Sequence, residues 1–143
     1  MNATGLLVDA LRAAGIATGD AQARVGTTDL TGRYAVVWPY NELAANGPIG
    51  SPNQDRTVDL QVTACGPSRL AADQVAEACR TVALALTRTP GPDGYAWVQA
   101  AQHIGGQPTR RDTSVDPTTP ESSGYFRADI YRYQLTPIGV VTP

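Results

Sequence analysis

Side chains that could carry out catalysis are few and scattered in this 143-residue sequence. The single histidine, His103, would suit a general base or a metal ligand, but it stands at the end of a predicted strand with no second histidine to join it. Asp59 and Asp129 each fall on a predicted strand, and two facing carboxylates would suit acid–base catalysis. We favour a structural or surface role for His103, and a solvated or interface position for both aspartates.

Neither of the two cysteines completes a reactive site. Cys65 ends a predicted strand, and Cys79 lies about twelve residues into the following helix, roughly 18 Å along its axis. This separation is too long for a disulfide, and the spacing fits neither a zinc site nor a redox pair, so we predict two buried, reduced thiols. Gly105 and Gly106 lack the strand–glycine–helix context of a phosphate-binding loop. The sequence therefore predicts no catalytic residue, no metal site and no cofactor.

Charge and hydropathy argue against a dedicated nucleic-acid-binding or membrane protein. The formal net charge is −2, and no basic run is longer than Arg110–Arg111, whereas tight phosphate binding requires clustered cations. The apolar N-terminal stretch is interrupted by Asp9 and Arg12 and is too short to span a membrane. We therefore expect one globular domain over residues 1–143, with no membrane partner, made in the cytosol.

A long strand followed by a long helix dominates the predicted fold. Residues 56–65, RTVDLQVTAC, alternate between apolar and polar side chains, which is typical of a strand with one buried face. Residues 67–88 follow after one glycine and predict a helix. About ten strand residues span roughly 33 Å and about twenty helical residues roughly 30 Å, so the helix can cover the strand from end to end.

The predicted helix has one continuous apolar stripe and one residue outside it. The stripe is expected to contain Ala71, Val75, Ala78, Cys79, Val82 and Leu86. Leu84 projects instead from the middle of the polar face. A lone exposed leucine is common in globular proteins, but this one would matter if a neighbouring subunit covered it.

The remaining elements complete an α+β domain. We predict a helix over 4–14, a short extended piece over 23–25, and strands over 33–38, 95–103 and 125–136. The connecting segments are loops over 39–55 and 104–123 and an extended tail over 137–143. Disregarding the short extended piece, the order αββαββ predicts a mainly antiparallel sheet of about four strands with two helices on one face.

Tyrosine and arginine are interleaved in the last predicted strand, a combination typical of interface hot spots. The same arrangement could stack on single-stranded nucleic acid, which the net charge disfavours. Alternatively, the tyrosines pack on the core of the domain itself. The sequence does not decide between an interface and a core location for them. The predicted subunit or partner interface comprises Leu84, Arg110, Arg111, Arg127, Tyr131, Arg132 and Tyr133.

The apolar pattern of this strand changes phase near Ile130–Tyr131. Apolar side chains occupy the even positions from 126 to 130 and the odd positions from 131 to 135. The change predicts either a β-bulge or a sheet that is covered on both faces. Covering both faces of the sheet of so small a domain would require a partner.

The chain resembles the tail terminator proteins of long-tailed bacteriophages with non-contractile tails. The matching segments are LLVDALRAAGI, RYAVVW, RTVDLQVTACGPSRLAADQVAEACRTVALAL and YFRADIYRYQLTP. The resemblance covers nearly the whole length and rests on the size of the chain and the order of its elements. The family is recognised by this pattern and not by invariant catalytic residues. The predicted loop at 104–123 has no counterpart in the tail terminator family. It is either a mobile solvent loop or a docking arm, in which Arg110 and Arg111 would contact acidic residues.

This resemblance implies a role in virion assembly. Such proteins form a ring, usually a hexamer, that caps the tail tube at its head-proximal end, stops polymerisation of the major tail protein and presents a surface to the head–tail connector. The implied partners are other copies of the chain, the major tail protein, the connector and the tape-measure protein, while DNA passes through the lumen without specific binding. Head–tail connector and tail-completion proteins are the nearest alternative, and a small α+β enzyme or ligand-binding domain is a more distant one.

Overall fold

The computed structural model describes residues 2–44, 56–111 and 124–137. Its elements, in chain order, are α1 (Ala3–Ala13), β1 (Thr18–Asp20), β2 (Arg24–Val25), β3 (Thr28–Asp29), β4 (Tyr34–Ala44), β5 (Arg56–Gly66), α2 (Arg69–Ala85), β6 (Tyr95–Gly106), β7 (Arg110–Arg111) and β8 (Tyr125–Pro137). The predicted α+β class and the two predicted helices are confirmed. The sheet is larger than predicted, because it contains six strands instead of about four.

Both helices begin at capping residues that the sequence supplies. The side chain of Asn2 accepts a 2.7 Å hydrogen bond from the backbone N–H of Gly5 at the start of α1. Ser68 accepts one of 3.1 Å from the N–H of Ala71 at the start of α2. Each cap pairs a backbone donor that lies too early in the helix to have a helical acceptor.

The main sheet has the strand order β1-β4-β5-β8-β6, with β7 also paired to β8. β1 runs parallel to β4, and the other pairs in this sheet are antiparallel. β5 and β8 pair without a register shift from Arg56–Leu135 to Gly66–Tyr125. β2 and β3 form a separate two-stranded hairpin. The last described strand of the chain therefore lies inside the sheet, between β5 and β6.

The change of phase in β8 is explained by the two faces of the sheet. Because β8 is in continuous register with β5, its odd positions from 131 to 135 face the helices and its even positions from 126 to 130 face away from them. A bulge does occur opposite Ile130–Tyr131, but the extra residue, Ile104, belongs to β6. β8 itself therefore needs no extra residue to present apolar side chains on both faces.

α2 packs on the sheet through a face rotated from the predicted stripe. Its buried residues are Ala71, Ala72, Val75, Ala76, Cys79 and Ala83. Ala78 is exposed, so it was wrongly placed in the apolar stripe, whereas Val82 and Leu86 are partly buried and pack against the core. At the start of the helix this buried face lies close to the end of β5, where a Cβ atom on Gly66 would lie 2.6 Å from the backbone nitrogen of Ala72.

Several predicted boundaries were too short. β4 continues beyond Pro39 to Ala44, with Tyr40 as an extra residue in its register. β6 extends to Gly106, and Arg110–Arg111 forms β7, so these residues of the predicted 104–123 loop are strands. The rest of that prediction, 112–123, and nearly all of the predicted tail lie outside the described residues. Neither α1 nor α2 is both long and apolar enough to cross a membrane.

Candidate assembly interface

The face of the sheet opposite the helices presents large side chains in rows that cross the strands. Trp38 of β4 is paired with Gln61 of β5, and Gln61 is paired with Ile130 of β8, so all three project from this helix-free face. Trp38 is 38% exposed. On β6, the 54% exposed Trp97 is paired with Thr136 of β8 and projects from the same face.

A groove of about 430 Å³ lies on this face. Its lining residues come from β5, from β8 and from the stretch between the end of β6 and the start of β7. They are Gln61, Thr63, Gly106, Gln107, Arg110, Phe126, Ala128 and Ile130. The small side chain of Ala128 leaves a low point between Phe126 and Ile130. The groove thus combines an apolar floor with amide and hydroxyl groups that can form hydrogen bonds.

Arg110 forms one wall of the groove. Its guanidinium carbon lies 5.5 Å from the centre of the Phe126 ring, a cation–π arrangement, and its Nη2 donates to the side-chain oxygen of Gln107. Arg110 is exposed, and no carboxylate among the described residues pairs with it. The groove wall therefore carries a positive charge that is fixed in position.

An ion pair on the same face joins the two central strands. Arg132 donates from Nε to Asp59 Oδ1 at 2.9 Å and from Nη2 to Asp59 Oδ2 at 3.1 Å. The hydrogen bond with Asp59, followed by its negative charge, raises the pKa of Arg132. Asp59 is only 3% exposed, so of the expected solvated or interface position only the interface alternative remains for this residue on the helix-free face. The bidentate contact compensates a buried charge.

The second carboxylate, Asp129, lies on the opposite, helix-covered face. It is 4% exposed, and its Oδ1 is 2.9 Å from His103 Nε2 while its Oδ2 is 3.2 Å from Arg127 Nε. The two aspartates therefore do not face each other, and the facing pair considered for acid–base chemistry does not form. His103 pairs with this buried carboxylate, which is compatible with the structural role favoured from the sequence.

The contacts of Asp129 extend to helix α2. Arg127 Nη1 lies 3.9 Å from Asp73 Oδ1 in the second turn of α2, and Thr109 donates a hydrogen bond to the same carboxylate. This polar network fixes β8 and the segment between β6 and β7 against the helix.

The nearby thiol of Cys79 is buried. Cys79 is 1% exposed, and burial, reinforced by the charges of Asp129 and Cys65, raises its pKa to about 12. Its thiol therefore stays protonated and unreactive at neutral pH.

The residues predicted for the interface fall into four locations. Arg110 and Arg132 lie on the helix-free face, Arg127 lies in the network below the sheet, and Arg111 is exposed at the end of the sheet. Tyr131 and Tyr133 are buried in the core of the protomer, where burial raises the pKa of both phenols. Leu84 packs partly against that core, so its predicted position in the middle of the polar face is wrong.

Sequence reasoning did not identify Trp38, Gln61 and Thr63 as part of this surface. The signal was present as the polar phase of residues 56–65, which pairs across the strands with the even positions of β8. Asp59, which lies in that phase, was assigned to a solvated or interface position, but its neighbours Gln61 and Thr63 were not named. Among the described residues, no group of three or more histidine, cysteine or acidic side chains is arranged to hold a metal ion.

Comparison with known proteins supports the fold. No family model matches the chain, and no curated protein matches it in sequence. A chain in the solved structure of the virion of a native gene transfer agent particle is similar, with a TM-score of 0.63 and 13% sequence identity. The similarity covers 93% of this chain and 91% of that chain, so the two share nearly the whole fold.

Proposed function

We propose that this protein is a structural component of a phage-like virion, and that it acts as the tail terminator. The observation that carries the proposal is the full-length similarity in fold to a chain of a gene transfer agent virion. The helix-free sheet face adds support, because it offers a large contact surface in a protein whose polar clusters are ion pairs within the fold.

In this role, copies of the chain form a ring, which we propose to be a hexamer, at the head-proximal end of the tail. One side of the ring binds the last ring of the major tail protein and stops its polymerisation. The other side receives the head–tail connector, and the tape-measure protein and DNA pass through the lumen. Assembly takes place in the host cytoplasm, and the protein remains in the finished virion. A ring of this kind closes when the rotation between neighbours adds up to a full turn.

Tail length distinguishes this role from that of a connector or tail-completion protein. A phage lacking the tail terminator should make overlong tails, whereas one lacking a connector should make tails of normal length that do not join heads. Purified protein added to polymerising major tail protein should shorten the tubes, and electron microscopy should show a cap at one end. Tubes of unchanged length without caps would contradict the terminator role.

The enzyme alternative makes a separate prediction about the polar network on the helix-covered face. His103→Gln and Asp129→Asn retain the size of each side chain and remove its capacity for proton transfer. Variants that fold and cap tubes as the wild type does would show that the network is structural. Loss of tube capping in variants whose folding is intact would favour a chemical role for His103 and Asp129.

A further inference from the structure

The edges of the main sheet are poorly suited to joining copies of the chain. On β6, the register shifts at three places, and the backbone of residues 88–91 already bonds to part of the strand. These bonds include Arg88 N to Val98 O at 2.7 Å and Gly91 N to Ala96 O at 3.0 Å. The opposite edge consists of β1, which has only three residues, and of the part of β4 beyond it, which carries a bulge at Tyr40. Bulges and short strands are the features by which sheets resist edge-to-edge pairing.

The helix-free face offers a surface of suitable size. Four adjacent strands of about ten residues each cover roughly 19 Å by 33 Å, or about 600 Å². A stable interface buries about 800 Å² on each partner, so this face supplies most of what one contact needs. Its two tryptophans, Trp38 and Trp97, are the kind of partly exposed aromatic residue that anchors interfaces.

The outer face of α2 is complementary to this surface. It exposes Leu70, which is 66% accessible, together with Glu77, Ala78 and Thr81 at helical spacing. Leu70, Ala78 and Thr81 are apolar or small. The same side of the helix also exposes Gln74, which accepts a hydrogen bond from Arg33, together with Arg80 and Glu77, and Glu77 makes no ion pair with any described residue. The groove wall on the other side of the protomer carries Arg110, which likewise has no carboxylate partner there.

We propose that the outer face of α2 on one copy packs against the helix-free sheet face of the next copy, with Glu77 paired to Arg110 across the contact. The contact deepens the proposed function, on which it rests, by naming the surfaces that build the ring. Two different surfaces meet, so the association is head-to-tail and generates a closed ring or a filament instead of a two-fold dimer. Each sheet would then be covered by α2 of its own copy on one face and by the neighbour's α2 on the other.

A charge exchange tests this contact. Glu77→Arg places two cations together, Arg110→Glu places two anions together, and we expect each change alone to weaken association about a hundredfold. The double variant and an equal mixture of the two single variants should both assemble, because every contact again joins opposite charges. Arg111→Glu is the matched control, since it makes the same charge change one residue away on the opposite side of β7 and should assemble as the wild type does.

Molar mass from light scattering after size-exclusion chromatography provides the measurement, and circular dichroism checks that each variant folds. A wild-type protein that remains monomeric at high concentration would overturn the inference, as would single variants that assemble normally or a mixture that does not recover. If variants assemble normally and still cap tubes, this contact is wrong and the terminator role stands. If the charge exchange behaves as expected but tubes are never capped, the contact stands and the terminator role is wrong.

Discussion

The hydroxyl group of Tyr133 donates a 3.1 Å hydrogen bond to the carbonyl oxygen of Ala83 in the last turns of helix α2. Both residues are buried, and they join the most internal part of the sheet to the helix. Two positions earlier, the hydroxyl of Tyr131 is buried without a hydrogen-bond partner among the described residues. Neighbouring tyrosines on one face of one strand therefore differ in how their polar atoms are satisfied.

We predict that Tyr133→Phe and Tyr131→Phe change stability in different ways. Tyr133→Phe should lower the free energy of unfolding by about 1 kcal/mol, because it leaves the carbonyl of Ala83 without its donor. Tyr131→Phe removes a hydroxyl that is desolvated and unpaired, so stability should be unchanged or slightly higher. Urea unfolding of the two variants measures the difference, and equal losses would contradict the assigned hydrogen bonding.

Two adjacent glycines at the end of β6 should differ sharply in their tolerance of alanine. A Cβ atom on Gly106 would lie 2.3 Å from Asp129 Oδ1, and this carboxylate is held in place by His103 and Arg127. We expect Gly106→Ala to cost about 1 to 3 kcal/mol of stability. At Gly105 the added Cβ would meet no atom within 4 Å, so Gly105→Ala is the control and should be nearly neutral. Thermal melting of both variants checks the prediction, and a similar loss at both positions would refute it.

The buried thiol of Cys79 predicts a loss of stability in alkaline solution. The pKa of the thiol rises from 9.0 to about 12 in the folded protein. The contribution of this thiol to the free energy of unfolding is therefore fully present below pH 9 and is lost as the pH rises towards 12. A difference of about three pKa units corresponds to roughly 4 kcal/mol at most.

Urea unfolding at a series of pH values measures this contribution as the difference between the wild type and Cys79→Ala. The difference should be constant below pH 9 and should shift in favour of the variant above it, because only the wild type binds the thiol proton more tightly when folded. Parallel pH profiles up to pH 12 would show that the thiol does not contribute.

The ion pair between Asp59 and Arg132 should behave as a unit. Arg132→Leu leaves the buried carboxylate of Asp59 without compensation and should lower the melting temperature. Adding Asp59→Asn removes the charge, so the double variant should be more stable than Arg132→Leu alone. Thermal melts of the wild type, both single variants and the double variant form a double-mutant cycle. Strictly additive losses of melting temperature would argue against the pairing of Asp59 with Arg132.

The long elements were predictable because their periodicity is strong. Residues 56–65 alternate over nearly their full length, and residues 125–136 alternate on either side of the phase change at Ile130–Tyr131. The observed β5 and β8 differ from these two predicted strands by only one residue at an end. β1 and β7 were missed because strands of two or three residues carry no periodic signal and are defined by their neighbours. The helical stripe was partly misplaced because alanines at 72, 76, 78 and 83 are compatible with more than one orientation, so the sequence alone does not say which of them face the sheet.

The candidate surface was only partly predictable for a related reason. Arg110 and Arg132 were identified by residue type, whereas Trp38 and Gln61 were not. A strand's sequence separates two faces but does not say which face the helices cover, so Tyr131 and Tyr133 fitted both a core and an interface. Only the packing of α2 against β8 resolves that choice.

The position of β8 between β5 and β6 also determines when the molecule can finish folding. Residues 56–66 pair with partners 59 to 79 positions later, from Gly66–Tyr125 to Arg56–Leu135, and β6 has no other strand of the main sheet to join. During synthesis on the ribosome, the helices and the β4–β5 hairpin therefore emerge before the strand that completes the sheet, and closure must await the translation of Tyr125–Pro137. Ribosome-bound chains shortened before Tyr125 would lack the middle of the sheet, which makes them candidates for chaperone capture and proteolysis.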